Sequence, residues 1–252
     1  DSNGKLGKYH MQEFNKMKQQ NLEGVRLDCN YIYLSSEERK RIAESEHKIL
    51  ITQSQKIECG VGQGRNVDLN FNHPVKEMFF YIQNNNIKNL PDPFNFSFKP
   101  EYMSKDVSDN YTVTNSGSFA DYDTEHKHHL LGEARILING YPRVEWKDFK
   151  YYYYLQNYEN YRNKLEHYVY LYSFSAVPKS DSPMGSLNFS RIENAQLQFT
   201  MNQDSNSFFK DKFLSTSKHN LLNENNHNIV IYAVNYNYLI IKGGMAGLAY
   251  KN

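Results

Sequence analysis

Two histidines and a glutamate come nearest to a reactive constellation in this chain of 252 residues. His126 and His128 are one residue apart, Glu133 follows, and Gly140 completes the pattern H-x-H-x4-E-x6-G. Imidazoles at i and i+2 on a strand point to the same side, and with a carboxylate they can hold a divalent metal. The competing reading is a solvated loop, since the run Glu125-His126-Lys127-His128-His129 is polar throughout and offers no evident fourth ligand. The loop reading is preferred, so no metal, no cofactor and no catalytic residue is expected. The run Gly60-Val61-Gly62-Gln63-Gly64 lacks the Lys-Ser/Thr of a phosphate-binding loop, and no helix follows it. It reads as a loop before a strand.

These residues sit in a chain of strand-like segments. Residues 1–25 are polar without periodicity and read as loop. Residues 25–34, VRLDCNYIYL, alternate like a strand. Ser35 followed by Glu38 has capping-box spacing, which predicts a short helix over 36–46 with Ile42 and Ala43 facing inward. Residues 47–59 look extended. Over 65–72, Val67, Leu69 and Phe71 alternate with Asn66, Asp68 and Asn70. Residues 75–83 are apolar on nearly both faces, as in a strand covered on both sides. Asn139-Gly140 between two apolar runs predicts a two-residue hairpin turn. Part of 147–167 reads as helix. Tyr168, Tyr170, Tyr172 and Phe174 fall on one side of the next strand. The last segment, 228–250, reads as a long strand, a Gly243-Gly244 break and a short terminal strand. Residues 84–129 and 202–228 are long polar excursions. Seven or eight strands without alternating helices make the class all-β, economically a Greek-key sandwich.

The segment GSLNFSRIENAQLQFT (185–200) poses a conflict. A straight strand would place Arg191 and Glu193 on the same face as Leu187, Phe189, Ala195, Leu197 and Phe199. A buried ion pair seldom recovers its desolvation cost. Ser and Asn favour turns. The segment therefore reads as strand 187–189, turn 190–194 and strand 195–199. Arg191 then either ties the turn to neighbouring groups or is a solvated turn charge.

Composition narrows the function classes. A net charge of +1, from 29 basic and 28 acidic residues, leaves no electrostatic footprint for direct nucleic-acid binding. The 21 Tyr and 15 Phe favour half-buried sheet surfaces. Cys29 and Cys59 are too few for a disulfide scaffold and point to a reducing compartment. No apolar run has the length of a membrane helix. Asp1 in place of Met, with no signal-like segment after it, suggests a processed product or a piece of something longer.

Several segments, in order, carry a resemblance. GSLNFSRIENAQL (185–197) resembles the "GS-x-NFSRIDNA" motif of the major capsid proteins of nucleocytoplasmic large DNA viruses, with Glu193 for the usual Asp. YIYLSSEERKRIA (31–43) is similar to that family's linker between its two jelly rolls. LNFNHPVKEMFFYIQ (69–83) is similar to its "HPVKEL" strand pair, and ARILINGYPR (134–143) to its "LNG" hairpin. IVIYAVNYNYLIIKGGMAGLAY (229–250) resembles its carboxy-terminal strands.

The resemblance implies an antiparallel jelly-roll sandwich of about eight strands with long loop insertions and one or two short helices. Residues 1–25 would be a loop or the tail of a preceding domain. Residues 26–55 would be a linker strand and short helix, and 56–252 the carboxy-terminal jelly roll of a double jelly-roll protein whose first roll lies outside these residues. The implied role is structural and not enzymatic: a homotrimeric, pseudo-hexagonal capsomer of an icosahedral virion, assembled in the host cytoplasm. Implied partners are copies of itself, neighbouring capsomers and minor capsid proteins, with an inner viral membrane beneath the shell. The polar excursions would decorate its outer surface. Aromatics of 75–83 and 230–240 are expected mainly in the core, with trimer contacts as the other use.

Two rival classes stand beside this. The His126, His128, Glu133 pattern resembles the first metal motif of cupins, also jelly rolls. Its leading Gly falls at Ala120, and no His follows Pro183-Met184-Gly185 to begin the second motif. A carbohydrate-binding jelly roll would use exposed Tyr, Trp146 and Asn-rich loops. Asn95, Asn110 and Asn188 begin N-x-S/T triplets, which read as chance matches.

Overall fold

The computed structural model describes residues 24–61, 66–84, 96, 129–163, 167–202 and 227–251. By contacts the chain forms two compact units, Asp1–Ile51 with Asn237–Asn252, and Thr52–Tyr236. Among the described residues no helix is long and apolar enough to cross a membrane. His126, His128, Asn95, Asn110 and most of both polar excursions lie outside the described residues.

Among the described residues ten strands form two sheets: β1 (His47–Gly60), β2 (Asn66–Asp68), β3 (Pro74–Asn84), β4 (Leu131–Ile138), β5 (Tyr141–Asp148), β6 (Tyr170–Ser173), β7 (Leu187–Asn188), β8 (Ala195–Met201), β9 (His227–Lys242) and β10 (Met245–Leu248). One sheet has the order β1-β9-β3-β6, with β10 beside β9 and β7 beside β3. The other has the order β2-β8-β4-β5. Most successive strands cross between the sheets, as β1 to β2, β2 to β3, β3 to β4, β7 to β8 and β8 to β9 do, and early strands pair with late ones, which is the winding of a jelly roll.

Side-chain alternation explains the faces. In β8, Ala195, Leu197, Phe199 and Met201 are buried, while the residues between them are partly exposed. In β3 a bulge between Val75 and Glu77 shifts the alternation by one residue, so Val75 and then Met78, Phe80 and Ile82 all enter the core. The outer face of β3 carries Glu77, Phe79 and Tyr81, and Tyr81 stacks on Phe96 at 3.9 Å. Most of the aromatics of 75–83 and 230–240 are thus buried or half-buried. β4 and β5 are joined by Asn139 (φ 50°) and Gly140 (φ 81°), both in the left-handed region that a two-residue hairpin turn requires. The core of the unit Thr52–Tyr236 draws on both sheets, with Phe80, Tyr152, Tyr170, Leu197 and Ile231 fully buried.

Between β5 and β6 the chain is helical. A π-turn over Tyr151–Leu155 runs into α2 (Gln156–Tyr161), closed by Arg162 at φ 53°. The wide turn frees backbone carbonyls, and the amide of buried Asn157 donates to two of them, Tyr152 O and Tyr153 O. Tyr152 points inward, its hydroxyl donating to Ala134 O at 2.9 Å.

In the other unit, α1 (Ser36–Glu44) has the expected reciprocal cap: Ser35 Oγ accepts from Glu38 N, and Glu38 accepts from Ser35 N. Two expectations fail here. Residues 25–34 do not form a strand and are exposed, since alternation alone supplies no ladder and none of the described strands pairs with them. Helix α1 buries none of its residues, so Ile42 and Ala43 do not face a core. The terminal strands form as expected, turning at Gly243 (φ 57°) and Gly244 (φ 77°).

Candidate functional site

Of the metal pattern, His126 and His128 lie outside the described residues, and among the described residues no group of three or more His, Cys, Asp or Glu could hold a metal. Glu133 lies exposed on β4, at a bulge where Gly132 passes so close to β8 that a Cβ would stand 2.9 Å from Thr200 Oγ1. Its N–H donates to that hydroxyl at 3.0 Å. The neighbouring histidine, His129, is fully buried against Phe149 (ring centroids 4.2 Å apart), with Nδ1 3.1 Å from Tyr170 Oη. It serves packing. Of the glycine run, Gly60 ends β1 rather than lying in a loop, Val61 is buried, and Gly62, Gln63 and Gly64 lie outside the described residues. Trp146 is half-exposed beneath the Arg135 guanidinium. Asn188 is occupied locally, its Oδ1 accepting from Ser190 N. Cys29 and Cys59 are free thiols.

What the structure does bring together is a knot of turns. β7 ends at Asn188, a single 3-10 turn covers Phe189–Arg191, and β8 begins at Ala195. Arg191 and Glu193 are exposed and unpaired among the described residues, so the solvated-turn reading of Arg191 holds and the buried pair is avoided. Phe189 drives inward instead, meeting Phe71 and Phe174 edge-on, each at 5.7 Å. Ser190 Oγ accepts from His73 N at 2.8 Å, and Phe189 N donates to His73 O. His73 holds φ 66°, a conformation fixed by these two bonds just ahead of Pro74. The hairpin joins the same knot, with Asn139 Oδ1 accepting from Asn194 N and Asn139 N donating to Asn194 O. Gln55 spans Asn72 through both its N–H and C=O, and reaches Asn235 Oδ1 at 3.0 Å.

A second knot lies on β3. Lys76 Nζ donates to Pro178 O at 2.8 Å and sits 3.6 Å from Glu77 Oε1, while the Tyr161 hydroxyl donates to Glu77 Oε2. Burial first, then the bond to Glu77, pushes the Tyr161 hydroxyl far above its ordinary range. The pair is largely desolvated, and removing one partner would strand the other.

Sequence reading missed Gln55, Asn139 and Tyr161 as locking residues, because their partners lie far along the chain. The only local trace was that Asn139 falls in a motif segment. These knots fix turns and strand ends; they hold no nucleophile, base and oxyanion donors around a common reacting position.

The family model described as large eukaryotic DNA virus major capsid protein matches residues 38–247. The major capsid protein of Paramecium bursaria Chlorella virus 1 is 32% identical, over 88% of this chain and 53% of that protein. That of Phaeocystis pouchetii virus is 27% identical, over 92% and 54%. This chain therefore spans about half the length of the curated relatives it matches. Among solved structures, PBCV-1 VP54, fitted into a reconstruction of the virophage Sputnik, superposes with a TM-score of 0.64 at 31% identity, covering 88% of this chain and 56% of that one. The Faustovirus major capsid protein shares the fold, with a TM-score of 0.50 at 14% identity, covering 83% and 36%.

Proposed function

This chain belongs to the large eukaryotic DNA virus major capsid protein family, and on that premise we propose that it is a structural subunit of an icosahedral viral capsid. The observation that carries the reading is the family match over 38–247 laid on a two-sheet jelly roll. The subunit works by self-assembly into trimeric, pseudo-hexagonal capsomers that abut one another in the shell. It performs no catalysis. Minor capsid proteins and an inner viral membrane are its partners on the inner side, and assembly takes place in the host cytoplasm. Residues 26–55 lead into the jelly roll of 56–252.

The knots support a shell role. Turns locked by paired side-chain bonds present a fixed outline, and rigid outlines suit repeated contacts between identical subunits. Electron microscopy of the concentrated full-length product tests this. Three-fold particles with a pseudo-hexagonal outline are expected. A field of separate single subunits at all concentrations would count against it.

A further inference from the structure

The helical segment between β5 and β6 carries a recess. Tyr151, Tyr153, Tyr154 and Tyr158 line it together with Lys150 and Arg162. We propose that this recess binds an acidic sugar residue of a glycan, its carboxylate held by the two cations and its ring laid on the tyrosines.

Three features carry the proposal. Among the described lining residues the charge is one-sided: Lys150 and Arg162 are cations and none is a carboxylate. Neither cation forms an ion pair among the described residues. The nearest acid of the helix, Glu159, accepts from Gln156 Nε2 at 3.3 Å and is not part of the lining. Second, large apolar groups are left open at the recess: Tyr158 is 71% exposed and Leu155 45%. Aromatic faces pack on the C–H side of a sugar ring, while phenol hydroxyls serve its hydroxyls. A guanidinium is suited to a carboxylate by its paired, planar donors.

Third, the walls are fixed before any ligand arrives. The π-turn sets consecutive tyrosines around the helix. Tyr152 anchors it from beneath through Ala134 O, and Asn157 holds its carbonyls. Gln156 braces both sides, accepting from Ser173 N at 3.1 Å and donating to Tyr151 Oη at 3.3 Å. A prearranged site loses less entropy on binding. An acidic peptide is the weaker occupant. The lining is a helix and the turn after it, so it offers no free strand edge for a peptide backbone.

The test is a titration of the full chain with 3′-sialyllactose, with lactose and with a hexaglutamate peptide, followed by calorimetry and by NMR. Saturable binding of sialyllactose is expected, at least tenfold tighter than lactose and weakened by added salt. Arg162→Gln and Lys150→Gln should each weaken it tenfold or more, and Tyr158→Ala should abolish it, with unfolding midpoints unchanged. Absence of saturable binding overturns the proposal. So does equal affinity for lactose, tighter binding of hexaglutamate, or indifference to both cation substitutions.

Discussion

Phe189→Ala should be among the most damaging single substitutions in the chain. Phe189 is 4% exposed, stands in the 3-10 turn between β7 and β8, and meets Phe71 and Phe174 edge-on. Truncating a buried Phe costs about 3–5 kcal/mol, from lost transfer energy and the cavity left behind. Each edge-on pair adds about 0.5–1.5 kcal/mol beyond area burial, which places this site in the upper half of that range, at about 4 kcal/mol. With a urea m-value of about 3 kcal/mol/M, the midpoint should fall by about 1.3 M at unchanged m. Phe189→Leu keeps most of the volume and should cost less than half as much. Equilibrium urea unfolding followed by tyrosine fluorescence measures both. A loss below about 1 kcal/mol for Phe189→Ala would refute the claim that this ring pins the turn to the core.

Three further outcomes follow from particular residues. Gly140 has open space around its Cα but φ 81°, so only backbone strain opposes a side chain there. Gly140→Val should destabilise by about 1–2 kcal/mol in urea unfolding, while Gly140→Asn, which tolerates the left-handed region, should cost much less. The Glu38 carboxyl is held below its ordinary value by the Ser35 N–H and then the Ser35 hydroxyl. A carboxyl lowered on folding stabilises α1 above its unfolded value and loses that contribution as pH falls through the folded one. Amide protection over 36–44, corrected for the intrinsic exchange rate, should fall as pH drops through the carboxyl range, and Glu38→Gln should remove that pH dependence. Burial raises Tyr152 and Tyr170 well above the usual phenol range and Tyr81 to about 12. A group raised on folding stabilises fully below its unfolded value, so stability should decline once pH exceeds about 10. Absorbance titration at alkaline pH should show these tyrosines ionising together with unfolding, and independent early ionisation would contradict their burial.

Legibility in the sequence followed how local the cause was. Asn139-Gly140, the Ser35/Glu38 cap and the alternation of 66–72 act within a few residues, and each formed as read. The charges Arg191 and Glu193 revealed a turn because burying them on a straight strand was too costly. Residues 25–34 misled for the opposite reason: a strand is a relation between segments, and alternation in one of them does not supply the other. Ile42 and Ala43 misled because helix pattern shows a face but not what lies against it. The tyrosine run gave no period that marks a π-turn, which depends on Asn157 and on Ala134 O across the fold. The turn knots escaped for the same reason, since Gln55 meets Asn235, and Asn139 meets Asn194, only once the jelly roll is wound.

The most direct measurement is the native mass of the full-length product of the reading frame encoding this chain, by light scattering after size exclusion. A capsomer subunit should run as a trimer, stable on dilution through the micromolar range. A monomer or dimer at every concentration would contradict the assignment of this chain to a self-assembling shell.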